Sequence, residues 1–100
     1  IVTDSYPLLD DVAAVLAEHP EITKVRVEGH TDTRGRARYN RRLSKGRAEA
    51  VVDYLVARGV DRGRLVAKGF GASQPLVQPE RIEADYDKNR RVELVIVERE

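Results

Sequence analysis

Asp32 and Arg47 are the two residues whose types and spacing best suit them to grip a ligand. Asp32 lies in the run Gly29-His30-Thr31-Asp32, directly after the alternating segment Lys24-Val25-Arg26-Val27-Glu28. In sheets flanked by helices, ligands gather where strands end and loops begin. Arg47 lies on the next helical stretch, ~40° on a helical wheel from both Leu43 and Val51, with Asn40 ~20° away. Asn40, Leu43 and Arg47 thus form one line along the edge of the apolar stripe, where a charged head needs a reason to be. Snorkelling or an internal acid is one such reason. For Asp32 the corresponding structural role is an Asx-type turn that caps Arg34 or Gly35. If both side chains face one cleft, they complement a zwitterion: Asp32 takes an ammonium, and Arg47 takes a carboxylate in a two-pronged bond. An amino-acid head group is the natural ligand of such a pair.

Other chemistry is poorly supplied. His30 and Asp32 form an H-x-D pair, but the chain has two histidines and no cysteine, too few ligands for a zinc centre. Ser5, Ser44 and Ser73 lack the glycine-elbow context of a nucleophile. Gly69-Phe70-Gly71 lacks the G-K-[ST] ending of a phosphate loop. Nucleic-acid binding is not expected, because the basic run carries a single aromatic, Tyr39, and no stacking platform. No enzyme and no cofactor are expected.

The elements that must hold Asp32 and Arg47 follow from periodicity. Ser5 and Pro7 mark a helix start, and Leu8, Leu9, Val12, Val15 and Leu16 repeat at helical spacing until His19-Pro20. Residues 24–28 alternate as a strand ended by Gly29, and 30–38 read as a loop. A second helix runs from Tyr39 or Asn40 to Arg58, with Gly59 as its left-handed cap. Asp61 to Arg64 is a tight or short helical turn, Leu65 to Gly69 a short strand, Phe70 to Pro79 a loop, and Glu80 to Lys88 partly helical. Val92 to Val97 is apolar on both faces and is expected at the centre of its sheet. Helix, strand, helix, strand, strand argues a layer of helices on one face of a thin three-stranded sheet.

The chain has 100 residues, 41% hydrophobic and 35% charged, enough for one small core over residues 1–100. No apolar run reaches the ~18 residues of a transmembrane helix. The net charge of +1 conceals an island: Arg34, Arg36, Arg38, Arg41, Arg42, Lys45 and Arg47 fall in one segment without an acid. The rest of the chain carries 11 basic against 17 acidic residues. Cations disfavour a helix N-terminus, so this segment calls for an anionic partner.

Taken together, Val27 to Asp32, Gly35, Tyr39-Asn40, Leu43-Ser44, Arg47-Ala48, Val51, Tyr54-Leu55, Gly59-Val60, Gly69-Phe70-Gly71, Pro75 and Asn89-Arg90-Arg91-Val92-Glu93 resemble the OmpA-like domain. The resemblance spans nearly the whole chain from Ser5. It implies an α/β (α+β) two-layer sandwich and non-covalent binding of peptidoglycan through the meso-diaminopimelate of the stem peptide. The family's gripping Asp and Arg fall on Asp32 and Arg47. Thr31, Asn40 and Leu43 fall on pocket positions, and Arg90 on the rim. The chain departs from the family twice: almost all of the opening strand is missing, and Asp85 and Tyr86 replace the usual Gly-Arg before Asn89. A periplasmic module of a larger outer-membrane or envelope protein is implied, tethered by parts beyond this chain and not itself touching the membrane. The competing expectation is a structural or protein-interaction module of the same fold that does not bind the wall.

Overall fold

The computed structural model describes residues 6–100. Helix α1 (Tyr6–Glu18) leads to strand β1 (Ile22–His30), helix α2 (Ala37–Ala57), a 3-10 turn (Arg62–Arg64), strand β2 (Leu65–Gly71), helix α3 (Glu83–Asn89) and strand β3 (Arg91–Arg99). The three strands form one mixed sheet in the order β2-β1-β3, with β1 parallel to β2 and antiparallel to β3. The expected α/β sandwich is therefore present. Ser5, the expected cap of α1, lies outside the described residues.

Alternation in β1 builds the core. Val25 and Val27 face α2 and pack with Leu65 of β2, Ala48, Val51, Val52 and Leu55 of α2, and Leu9, Ala13 and Leu16 of α1. Asp10 ties the two helices together, accepting from the Tyr54 hydroxyl at 2.8 Å and pairing with Arg58 at 3.0 Å. The opposite face of β1 carries Arg26, Glu28 and His30. Glu28 is buried, which opposes its ionisation, but hydrogen bonds from Arg26 (2.6 Å) and His30 (3.2 Å) win and hold its carboxyl below the usual range. A carboxylate only accepts, so His30 Nε2 is the donor in that bond. The His30 ring, 1% exposed, stacks on Phe70 with centroids 5.2 Å apart.

Several boundaries differ from expectation; β2, for one, runs to Gly71, two residues past the expected Gly69. Gly29 does not end β1. It lies inside the strand where α2 crosses closest, and a Cβ there would stand 1.9 Å from the Ser44 carbonyl oxygen. Glycine marks a close approach here instead of a stop. Helix α2 starts at Ala37, two residues before the expected Tyr39, with Arg36 at its N-cap and no side-chain cap. Its far end is as expected: Gly59 has φ +101°, and Gly59 and Val60 donate back to Val56 and Leu55, a Schellman motif.

The larger correction concerns β3, which is an edge strand; β1 is central. Helix α2 lies over β1 and β2, leaving Ile96 43% and Val97 45% exposed. A run apolar on both faces signals β-propensity and says nothing of which neighbour flanks it.

Candidate functional site

The loop from Thr31 to Arg36 joins β1 to α2 and is fixed by local chemistry. The Thr31 N–H donates to the Gly71 carbonyl at 2.9 Å, and its hydroxyl donates to the Asp32 carbonyl at 2.9 Å. Asp32 Oδ1 accepts the Arg34 backbone N–H at 3.0 Å, so the Asx-type turn is present. Asn40, in the first turn of α2, donates from Nδ2 to the Arg34 carbonyl at 2.9 Å and pins the loop to the helix. Ser44, one turn on, donates to the Arg41 carbonyl and accepts from the Gly71 N–H at 2.9 Å. That single hydroxyl joins α2 to the end of β2.

Asp32 is 7% exposed and heavily paired. Its Oδ2 accepts Nη2 and Nε of Arg34 (2.8 and 3.2 Å) and Nη1 of Arg90 (2.6 Å). Burial alone would raise the carboxyl, yet these bonds and the Arg34 N–H lower it from 3.8 to about 2. Helix α3 closes over this cluster. Arg90 reaches Glu83 at 2.8 Å and also pairs with Asp87, while the Arg34 guanidinium lies 4.1 Å from the centroid of the Tyr86 ring. Glu80 accepts from the Thr33 N–H at 3.1 Å and from Asn89, joining the loop to the segment before β3.

Arg47 lies two turns along α2 from Asn40, roughly 10 Å of helix axis. It is half-buried and makes no hydrogen bond or ion pair with another described residue. Snorkelling therefore describes it, and an internal acid does not. With Tyr39, Arg42, Leu43, Gly46 and Ala50 it lines an open groove of about 380 Å³.

The expected site residues thus fall into two adjoining groups. Thr31, Asp32, Asn40 and Arg90 gather around the loop, with Arg90 serving as an internal partner of Asp32. Leu43 and Arg47 line the groove, and Asp32 is not among its lining residues. Asn40 and the Arg34 it holds form the seam. Arg34, Glu83 and Tyr86 shape the site and were not singled out from the sequence as site residues. The signal for Arg34 was its place two residues after an Asx-turn aspartate. The signal for Tyr86 was its departure from the family pattern.

The structure thus holds a buried, doubly paired acid just after β1 and, on α2, an open groove lined by Arg42 and Arg47. Residues 1–90 match the OmpA family, and the chain belongs to that family. It is 41% identical over 93 residues to a peptidoglycan-associated lipoprotein of Haemophilus influenzae, covering 93% of this chain and 60% of that protein. It is 42% identical over 90 residues to outer membrane porin F of Pseudomonas fluorescens, covering 90% of this chain and 27% of that protein. The crystal structure of the peptidoglycan-associated lipoprotein from Burkholderia pseudomallei superimposes with a TM-score of 0.88 at 34% identity, covering 95% of this chain and 79% of that one. The chain therefore spans about 60% or less of these two sequence relatives.

Proposed function

We propose that this chain binds peptidoglycan non-covalently by the zwitterionic end of meso-diaminopimelate, and so anchors a larger envelope protein to the wall from the periplasmic side. The observation that carries the reading is Arg47: a half-buried guanidinium in an open groove, without a partner among the described residues, on the helix whose first turn holds the Asp32 loop. The relatives' names, peptidoglycan-associated lipoprotein among them, support peptidoglycan as the polymer bound.

The mechanism is a clamp with no chemical step. Arg47 takes the ligand carboxylate in a two-pronged bond. The ligand ammonium goes to Asp32. Oδ1 of Asp32 accepts only the Arg34 backbone N–H, so it keeps a free lone-pair site, while Oδ2 is crowded by two guanidinium groups. As the ammonium arrives, the Arg34 side chain yields toward Glu83, already 3.6 Å away. Each charge-assisted bond nets ~1.5–3 kcal/mol, and immobilisation costs several kcal/mol. One site therefore binds in the micromolar to millimolar range. A wall with many copies of the ligand, and a tethered protein, convert that into firm attachment. A lysine-type stem peptide lacks the carboxylate and leaves Arg47 unpaired.

Co-sedimentation with diaminopimelate-type sacculi tests the clamp. Arg47→Ala, Asp32→Ala and the milder Asp32→Asn are each expected to abolish pelleting, with circular dichroism verifying the fold. Pelleting at the wild-type level by folded Arg47→Ala and Asp32→Asn would contradict it. A protein-interaction module is the second reading, favoured by Ile96 and Val97 on the edge strand. It predicts that the parent itself does not pellet with sacculi.

A further inference from the structure

The cationic half of α2 is not explained by the clamp. Arg36, Arg38, Arg41, Arg42 and Lys45 are all exposed, and none of their side chains makes a hydrogen bond or ion pair with another described residue. Elsewhere several arginines pair with acids, Arg26 with Glu28, Arg58 with Asp10, Arg62 with Asp53 and Arg91 with Glu93, while Arg64 donates to backbone carbonyls and Arg81 and Arg99 form no ion pair among the described residues. Among the described residues, no acid pairs with this face. Arg41, Lys45, Arg38 and Arg42 fall within a ~100° arc of the helix wheel. Arg42 also lines the groove that holds Arg47. The helix starts with no acidic residue in its first turn and no side-chain cap, so its positive pole adds to the same field. Holding like charges together on one helix is unfavourable in the free protein. The field is relieved only by anions from outside.

We infer that this face of α2 is a second subsite, which takes carboxylates of peptidoglycan stem peptides other than the diaminopimelate end held by Arg47. The inference rests on the proposed clamp, because a polymer gripped in the groove must run along the helix that lines it. Arg42 is the link between the two, shared by the groove and the arc. The chemistry required is several carboxylates spaced along a flexible chain, met by long, freely moving cations. A bilayer is a poorer fit, since Tyr39 is the single exposed large apolar side chain on this half of α2. Duplex nucleic acid is poorer too, because Tyr39 is the single aromatic nearby. The subsite acts through charge, so it speeds encounter with the wall and adds avidity that salt screens.

The test compares the parent with an Arg38→Gln/Arg41→Gln/Lys45→Gln triple variant, which removes three exposed charges and leaves Asp32, Arg42 and Arg47 intact. Binding to intact sacculi is measured at low and at physiological salt, and binding to free meso-diaminopimelate by NMR titration. The triple variant is expected to lose about tenfold in sacculus binding at low salt, to show a flatter salt dependence, and to keep its affinity for free diaminopimelate. Three outcomes overturn the inference. In the first, the triple variant matches the parent on sacculi at both salts. In the second, it loses affinity for free diaminopimelate in the same proportion. In the third, vesicles containing phosphatidylglycerol compete for the parent as well as sacculi do. If free diaminopimelate shifts no amide in the parent while the sacculus arm still responds to the triple variant, the clamp fails and the charged subsite stands.

Discussion

Asp32 is the residue on which the site's electrostatics turn. Its carboxyl falls from 3.8 to about 2 because two guanidinium groups and a backbone N–H outweigh its burial. A group whose folded value is depressed binds fewer protons in the folded state than in the unfolded chain across that interval. Its stabilisation is therefore complete above about pH 4 and is lost as the pH falls toward 2, and it amounts to about 2 kcal/mol. Urea denaturation across that range is expected to show a loss about 2 kcal/mol smaller in Asp32→Asn than in the parent, the remainder coming from other depressed carboxylates such as Glu28. Tyr86 acts on the same acid at one remove, by holding Arg34 over Asp32. Removing the ring in Tyr86→Ala forfeits a cation–π contact of ~0.5–1 kcal/mol, so Arg34 yields more readily and diaminopimelate binds roughly two- to fivefold tighter. Calorimetry would measure that gain, and a weaker complex would mean that Tyr86 braces the site in its binding form.

At the scale of elements, the site depends on how closely α2 approaches β1. Gly29 allows the approach, and the Ser44 hydroxyl fastens it to Gly71. Gly29→Ala must push α2 off the sheet, because the obstacle is backbone and cannot rotate away. A loss of at least ~2 kcal/mol is expected, read as a lower urea midpoint. Ser44→Ala should cost about 1–2 kcal/mol by leaving the Gly71 N–H unpaired. The sequence made the helix and strand interiors legible, since α1, β1 and α2 announce themselves by period and by Gly59. It did not make Gly29's role legible: a glycine that punctuates and a glycine that admits a crossing helix look alike in one dimension. The pairing of Arg90 with Asp32 across 58 positions was equally hidden. Only the fold brings the start of β3 to the end of β1.

At the scale of the whole molecule, the sheet has a protected side and an open one. The core lies where α1 and α2 cover β1 and β2, while β3 forms an edge with Ile96 and Val97 exposed. The continuous apolar run of β3 suggested a central strand. Strand order is set by pairing partners, and nothing within residues 92–97 names them. The charge distribution was more readily foreseen. An island of seven cations in an otherwise acidic chain was visible from counting alone, and the fold keeps six of them free of internal partners while Arg34 joins Asp32. On the proposed reading, such a module binds a polymer by weak, repeated contact, with the Asp32–Arg47 clamp supplying selectivity and the other charges of α2 supplying reach.

The clamp itself is tested most directly by titrating the isotopically labelled chain with meso-diaminopimelate and, separately, with lysine, while following the backbone amides of Asp32, Asn40, Leu43 and Arg47 and the Arg47 side-chain Nε–H. Shifts that converge on those groups, saturate in the micromolar to millimolar range with diaminopimelate, and need about tenfold more lysine are the predicted result. Shifts confined to other parts of the chain, or equal affinity for both ligands, would contradict it.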